Sequence, residues 1–143
     1  MPKEQLFIDS SVIIRAFLQE DETTNYALVL KLILEKKISG IISRKVVEEV
    51  KRFFSLKRGE KFAYSVEIIL KKKFLIVEKT EIEKELIELS GKIKDKDLEH
   101  LATAKKYGAR ILAFDRDFQP FEEYITPKKF LEKLGYRTRE TEF

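Results

Sequence analysis

Two apolar runs in this chain end directly on carboxylates. "QLFI" at 5–8 runs into Asp9, and "RILAF" at 110–114 runs into Asp115, with Asp117 just beyond. Short runs of this β-branched and aromatic make-up read as buried strands. In open α/β sheets, ligands bind beyond the carboxyl ends of the strands, where the strand order reverses. If the two runs are neighbouring strands, Asp9 and Asp115 converge there and Asp117 leans in from the loop. Asp97, at the start of a helix, and Glu49, at the edge of another, could complete the cluster. Carboxylates packed this closely repel, and beside the single His100 there is no obvious set of protein cations to neutralise them. A divalent cation would. Oxygen ligands without cysteine point to Mg²⁺ or Mn²⁺ rather than zinc. Two such ions about 4 Å apart can orient an attacking water and steady the leaving oxygen of a phosphodiester.

The elements that must position these groups follow from the pattern. After Asp9, Ser10 or Ser11 can cap a helix carrying Val12, Ile13, Ala16 and Phe17. Beyond "QEDETTN" a second helix runs from about 24 to 37, Gly40 stops it, and "II" makes a very short strand. Ser43 caps a helix whose Val46, Val47, Val50 and Phe54 form one apolar stripe, with Glu49 at the stripe's edge. A helix from about 59 to 72, the strand "FLIVE" at 74–78, a helix at about 81–90 and another at about 96–107, stopped by Gly108, come next. "TPKKFLEKLG" closes the pattern with Thr126 as cap, Pro127 at the first helical position and Gly135 as stop. Strands alternating with helices argue for a parallel sheet covered on both faces.

Composition narrows the alternatives. The chain has 143 residues, enough for one domain, 1–143, with its own core. With no cysteine, a disulfide framework and thiolate metal sites are excluded, and a cytoplasmic protein is the natural reading. No apolar run approaches a membrane span and no signal-peptide pattern opens the sequence. Charged residues make up 38% of the chain, mostly Lys and Glu, a bias resembling proteins of thermophiles. Positions 44–73 hold ten basic and four acidic residues, net +6 in a chain of net +4. Through Arg44, Lys45, Lys51 and Arg52 this stretch could wall a groove that binds RNA phosphates, or it could be no more than solvated helix faces.

In order, "LFIDSSVI" with Asp9, "ISRKVVEEV" with Glu49, and "DLEHLATAKKYGARILAFDRDF" with Asp97, Asp115 and Asp117 resemble a PIN domain, the fold of VapC-type toxin ribonucleases. The resemblance spans Leu6 to Phe118. It implies a three-layer α/β/α fold with a central parallel sheet of four or five strands. It also implies a metal-dependent ribonuclease using Mg²⁺ or Mn²⁺ and hydrolysing RNA, as the toxin of a toxin-antitoxin pair that forms a homodimer. By resemblance Asp9, Glu49, Asp97 and Asp115 are the catalytic and metal-binding acids, Asp117 is an auxiliary metal-site acid, and Ser11 is the small polar residue beside the first. One position departs: the family commonly has Thr two residues before the fourth acid, where this chain has Ala113. Ser11 is the candidate to compensate.

Plainer roles compete. Asp9 could simply cap a helix, Glu49 could be solvated, and Asp97, with Asp95 as rival, could complement the helix dipole. Asp117 could be a turn residue. His100, at i+3 from Asp97, is read as structural, since two-metal chemistry needs no histidine base. Two other functions stay open: a noncatalytic PIN-like domain that binds RNA or a partner, and a phosphoryl-transfer α/β domain of the receiver or phosphatase kind. For the phosphatase, position 11 is Ser where a second acid is wanted.

Overall fold

The computed structural model describes residues 4–18, 24–114 and 116–138, leaving out the side chains of Asp95, Lys96 and Arg116. Within them the apolar runs form a five-stranded, wholly parallel sheet flanked by helices. The strands are β1 (Gln5–Ile8), β2 (Ser39–Ser43), β3 (Phe74–Val77), β4 (Arg110–Leu112) and β5 (Tyr124–Ile125), in the order β3-β2-β1-β4-β5. β1 is central and buried on both faces, with Leu6, Phe7 and Ile8 at most 1% exposed, as a strand covered on two sides requires. It pairs with β2 through Phe7↔Ile41 and with β4 through Ile8↔Leu112. The chain builds the sheet outward from β1 to β3, then returns past β1 to β4. The order therefore reverses between β1 and β4, where the two aspartate-ended runs lie side by side.

The crossovers are helical: α1 (Ser10–Leu18) and α2 (Asn25–Leu34), then α3 (Arg44–Arg58) and α4 (Glu60–Lys73), then α5 (Glu83–Leu89) and α6 (Asp95–Tyr107). α7 (Pro127–Lys133) follows β5. On α3 the expected stripe of Val46, Val47, Val50 and Phe54 is buried, and Ser43 Oγ accepts the Val46 N–H at 3.2 Å. That leaves Glu49 one helical step off the packed face. Thr126 likewise accepts the Lys129 N–H at 3.2 Å to start α7. α6 packs against β1, β2 and β4. It ends at Gly108, which takes the left-handed conformation (φ +62°) that lets the chain turn at once into β4. Among the described residues no helix is long and apolar enough to cross a membrane.

Several boundaries differ from the sequence pattern. The cap of α1 is Asp9, whose carboxylate accepts the Ser11 N–H at 3.2 Å while its carbonyl accepts the Val12 N–H at 3.1 Å. Ser10 and Ser11 already lie inside the helix. α2 stops at Leu34, sooner than expected. The segment expected as one helix from 81 divides into a 3₁₀ turn (Lys79–Ile82) and α5. The turn is held by Glu78 and Glu81, with the Glu78 N–H donating to Glu81 Oε2 at 2.7 Å. β4 leaves the ladder after Leu112, once the Asp9 N–H has bonded the Leu112 carbonyl at 3.0 Å. β5, too short to show a periodicity, is held by the Ile111 N–H on Glu123 O at 2.7 Å. The Arg110 guanidinium adds bonds to the carbonyls of Glu123 (3.1 Å) and Tyr124 (3.0 Å).

Candidate active site

Asp9 sits at the carboxyl end of the central strand, at the reversal point between β1 and β4. Both its carboxylate oxygens are held. Oδ2 accepts the Ser11 N–H at 3.2 Å and the Ser11 hydroxyl at 2.5 Å, and Oδ1 accepts Nε2–H of His100 at 2.8 Å. Burial alone would raise the Asp9 pKa, but the His100 hydrogen bond and charge and the two Ser11 bonds outweigh it and hold the group below the usual range. Asp9 is thus both the helix cap of the plain reading and an ionised carboxylate at the rim. Ser11 is placed as a supporting residue against it.

His100 is 3% exposed. Its ring stacks on Phe118 (centroids 6.1 Å, 11° between planes) and tilts against Phe7 at 5.0 Å. Nδ1 is buried and has no hydrogen-bond partner among the described residues. By sequence alone His100 reads as structural. The only available signal was its i+3 spacing from Asp97, and what it meets depends on α6 crossing β1.

Asp97 lies in the first turn of α6 and is 6% exposed. Glu49 is exposed as a residue, yet partial desolvation of its carboxyl raises the pKa. His100 and Lys45 pull the value down and the charges of Asp9 and Asp97 push it up, leaving it raised overall. Glu49, on α3, is therefore within electrostatic reach of both Asp9, at the end of β1, and Asp97, on α6. Asp117, in the 3₁₀ turn Arg116–Phe118 after β4, pairs with Lys94 Nζ at 3.0 Å. Lys94 and Lys45 correct the expectation that no protein cations stand near these acids. Lys45 lies one turn before Glu49 on α3, and Lys94 directly precedes the helix that carries Asp97. Asp115 lies outside the described residues.

The donors are all carboxylate oxygens, and the mutual repulsion written into Glu49 is the kind a divalent cation relieves, so in chemistry they fit Mg²⁺ or Mn²⁺. Among the described residues, no three such side chains are grouped closely enough to hold an ion. The basic stretch is partly engaged already. Arg44 places Nε and Nη2 on Glu78 Oε1 at 3.0 and 2.6 Å, and Lys51 lies 3.3 Å from Glu67. Arg52 is exposed on α3.

A doubly wound parallel sheet with carboxylates gathered at its reversal point defines the class of protein. The family model of the PIN domain matches residues 6–123, and the chain belongs to the PIN domain family. Its fold is similar to that of a chain in a toxin-antitoxin complex from Klebsiella pneumoniae (TM-score 0.66, 20% identity, 85% of this chain and 97% of that one). It is also similar to a chain of VapBC2 from Rickettsia felis, solved bound to a promoter DNA fragment (0.61, 18%, 85% and 96%). A third is VapC20 of Mycobacterium tuberculosis, a sarcin-ricin loop cleaving toxin (0.57, 17%, 82% and 95%). At these identities the likeness is one of fold. No curated protein matches the chain.

Proposed function

We propose that this PIN domain is a metal-dependent ribonuclease that hydrolyses RNA phosphodiesters at the β1/β4 rim, and that it is the toxin of a toxin-antitoxin pair. The observation that carries the reading is that Asp9 and Asp97, from two other elements, both lie close enough to Glu49 to push its pKa up. A bound Mg²⁺ or Mn²⁺ would supply an acidified water and a counter-charge for the phosphodiester. Asp9, Asp97 and Asp115 are the residues to hold it, with Asp117 beside them.

The protein's own groups do the rest. Ser11 and His100 keep Asp9 ionised and fixed in direction. Glu49, with its raised pKa, is the acid best suited to take a proton from the attacking water. Lys45 and Arg52, along α3, can meet the RNA backbone and give salt-dependent affinity. An antitoxin is the partner this reading expects, since the chain is similar in fold to a chain of a toxin-antitoxin complex, and a second copy of the chain is expected beside it as a homodimer.

The test is cleavage of a labelled RNA panel by purified protein with Mg²⁺, Mn²⁺ or EDTA, beside Asp9→Asn and Asp97→Asn. Metal-dependent cutting lost in both variants is expected. RNA bound but never cut by the unmodified protein would instead assign a noncatalytic binding domain.

A further inference from the structure

We propose that His100 is a positioning residue, a brace that sets the direction of the Asp9 carboxylate and its spacing from Asp97, and so the strength with which the site holds its divalent cation. The inference rests on the nuclease reading above.

The geometry is specific. Both His100 and Asp97 are on α6, three residues apart and so on neighbouring positions of one helical face. The 2.8 Å bond from His100 Nε2 to Asp9 Oδ1 therefore ties the helix that carries one acid to the strand that carries another. The ring has little freedom, because Phe118 stacks on it and Phe7 packs against it. Nor can it act on substrate directly, since Nε2 is committed to Asp9 and Nδ1 is buried.

A carboxylate offers about four lone-pair positions. Ser11 fills two on Oδ2 and His100 fills one on Oδ1. What Asp9 retains for a cation is thus a single position on Oδ1, and His100 decides where it points. Outer partners of metal-binding groups typically govern affinity or activity by 10–100-fold. A merely apolar filler between Phe7 and Phe118 would do none of this.

The experiment is Mn²⁺ binding to RNA-free protein by calorimetry, with His100→Leu and His100→Gln, whose amide can donate from nearly the place of Nε2. Expected is a loss of about 10–100-fold in Mn²⁺ affinity for His100→Leu, with cooperative unfolding retained, and recovery to within about threefold in His100→Gln. Cleavage at low Mn²⁺ should follow the same order. Unchanged affinity in His100→Leu, or equal weakness in both variants, overturns the brace while leaving the nuclease reading intact. Unmodified protein that neither binds Mn²⁺ nor cuts RNA overturns both. Should His100→Leu not fold, the imidazole nitrogen signals of this single histidine decide: displacement on adding Mg²⁺, absent in Asp9→Asn, supports the brace, and no displacement overturns it.

Discussion

Lys94 Nζ lies 3.0 Å from Asp117 Oδ2, so the segment entering α6 is tied to the turn that follows β4. The Lys94 side chain is 64% exposed and that of Asp117 32%. A pair so open to water is worth at most about 1 kcal/mol. Asp117 already has a cation, so on the nuclease reading it is expected to serve as an auxiliary acid rather than a principal ligand. Asp117→Asn is expected to lower the urea midpoint only slightly and to reduce RNA cleavage by about tenfold or less, against a loss of about a thousandfold or more for Asp97→Asn. Equal losses in the two variants would contradict that ranking.

Glu49 is held against its own charge. Desolvation, Asp9 and Asp97 together outweigh His100 and Lys45, so the ionised side chain is disfavoured in the folded protein. Glu49→Gln should therefore abolish cutting while leaving the fold unharmed or slightly more stable. Solvent screening limits the gain to about 0.5 kcal/mol, or a rise of roughly 1–2 °C in Tm. Calorimetric scans of the two proteins at neutral pH check this, and a fall of several degrees would show that Glu49 has a structural partner.

The pH dependence of stability separates Asp9 from Glu49. Because the folded protein depresses the Asp9 pKa, its contribution is full above the unfolded aspartate value and disappears as pH falls through the lower folded value. Glu49 runs the other way: its folded pKa is raised, so the penalty on its ionised form lifts as pH falls through that value. In urea titrations from neutral to acid pH, the deficit of Asp9→Asn relative to unmodified protein should shrink toward acid. The advantage of Glu49→Gln should vanish at a higher pH than that deficit does.

Gly40, on β2, is set by close approach rather than by its backbone angles. A Cβ there would lie 2.7 Å from Phe74 Cδ1 and Cε1 and 2.9 Å from Ile33 Cγ2. Both neighbours are in the core, so Gly40→Ala is expected to cost about 1–3 kcal/mol. Adding Phe74→Leu should recover part of it, because neighbouring substitutions couple. Simple additivity in denaturant unfolding would show that the clash is relieved elsewhere.

Much of this architecture could be read from the residues. Apolar runs ending on Asp9 and near Asp115 announced the rim, and Ser43 and Thr126 announced their helices. The local rule failed where contacts across the fold decide. β5 exists because Arg110 and Ile111 bind the backbone around Glu123, and two residues carry no periodicity of their own. Asp9, not a serine, caps α1, since a side chain at the strand end reaches the helix as well. The partner of His100 was equally hidden. The helical spacing of His100 from Asp97 was visible, but Asp9 is brought to it only by the packing of α6 on β1. Arg44 and Lys51 were read from charge density alone, and their acidic neighbours Glu78 and Glu67 come from other elements.

The pairing of β1 with β4 joins Leu6 to Arg110, which are far apart in the order of synthesis. A ribosome adding about 5–20 residues per second completes β4 roughly 5–20 s after it has added Asp9. Until then the first strand has no neighbour on that side, and the rim lacks its β4 wall. A growing or prematurely ended chain that stops short of Leu112 has part of the acid set without the pocket that would organise it. On the nuclease reading the order of strands is also a delay, and a chain that ends before Leu112 is expected not to cut RNA.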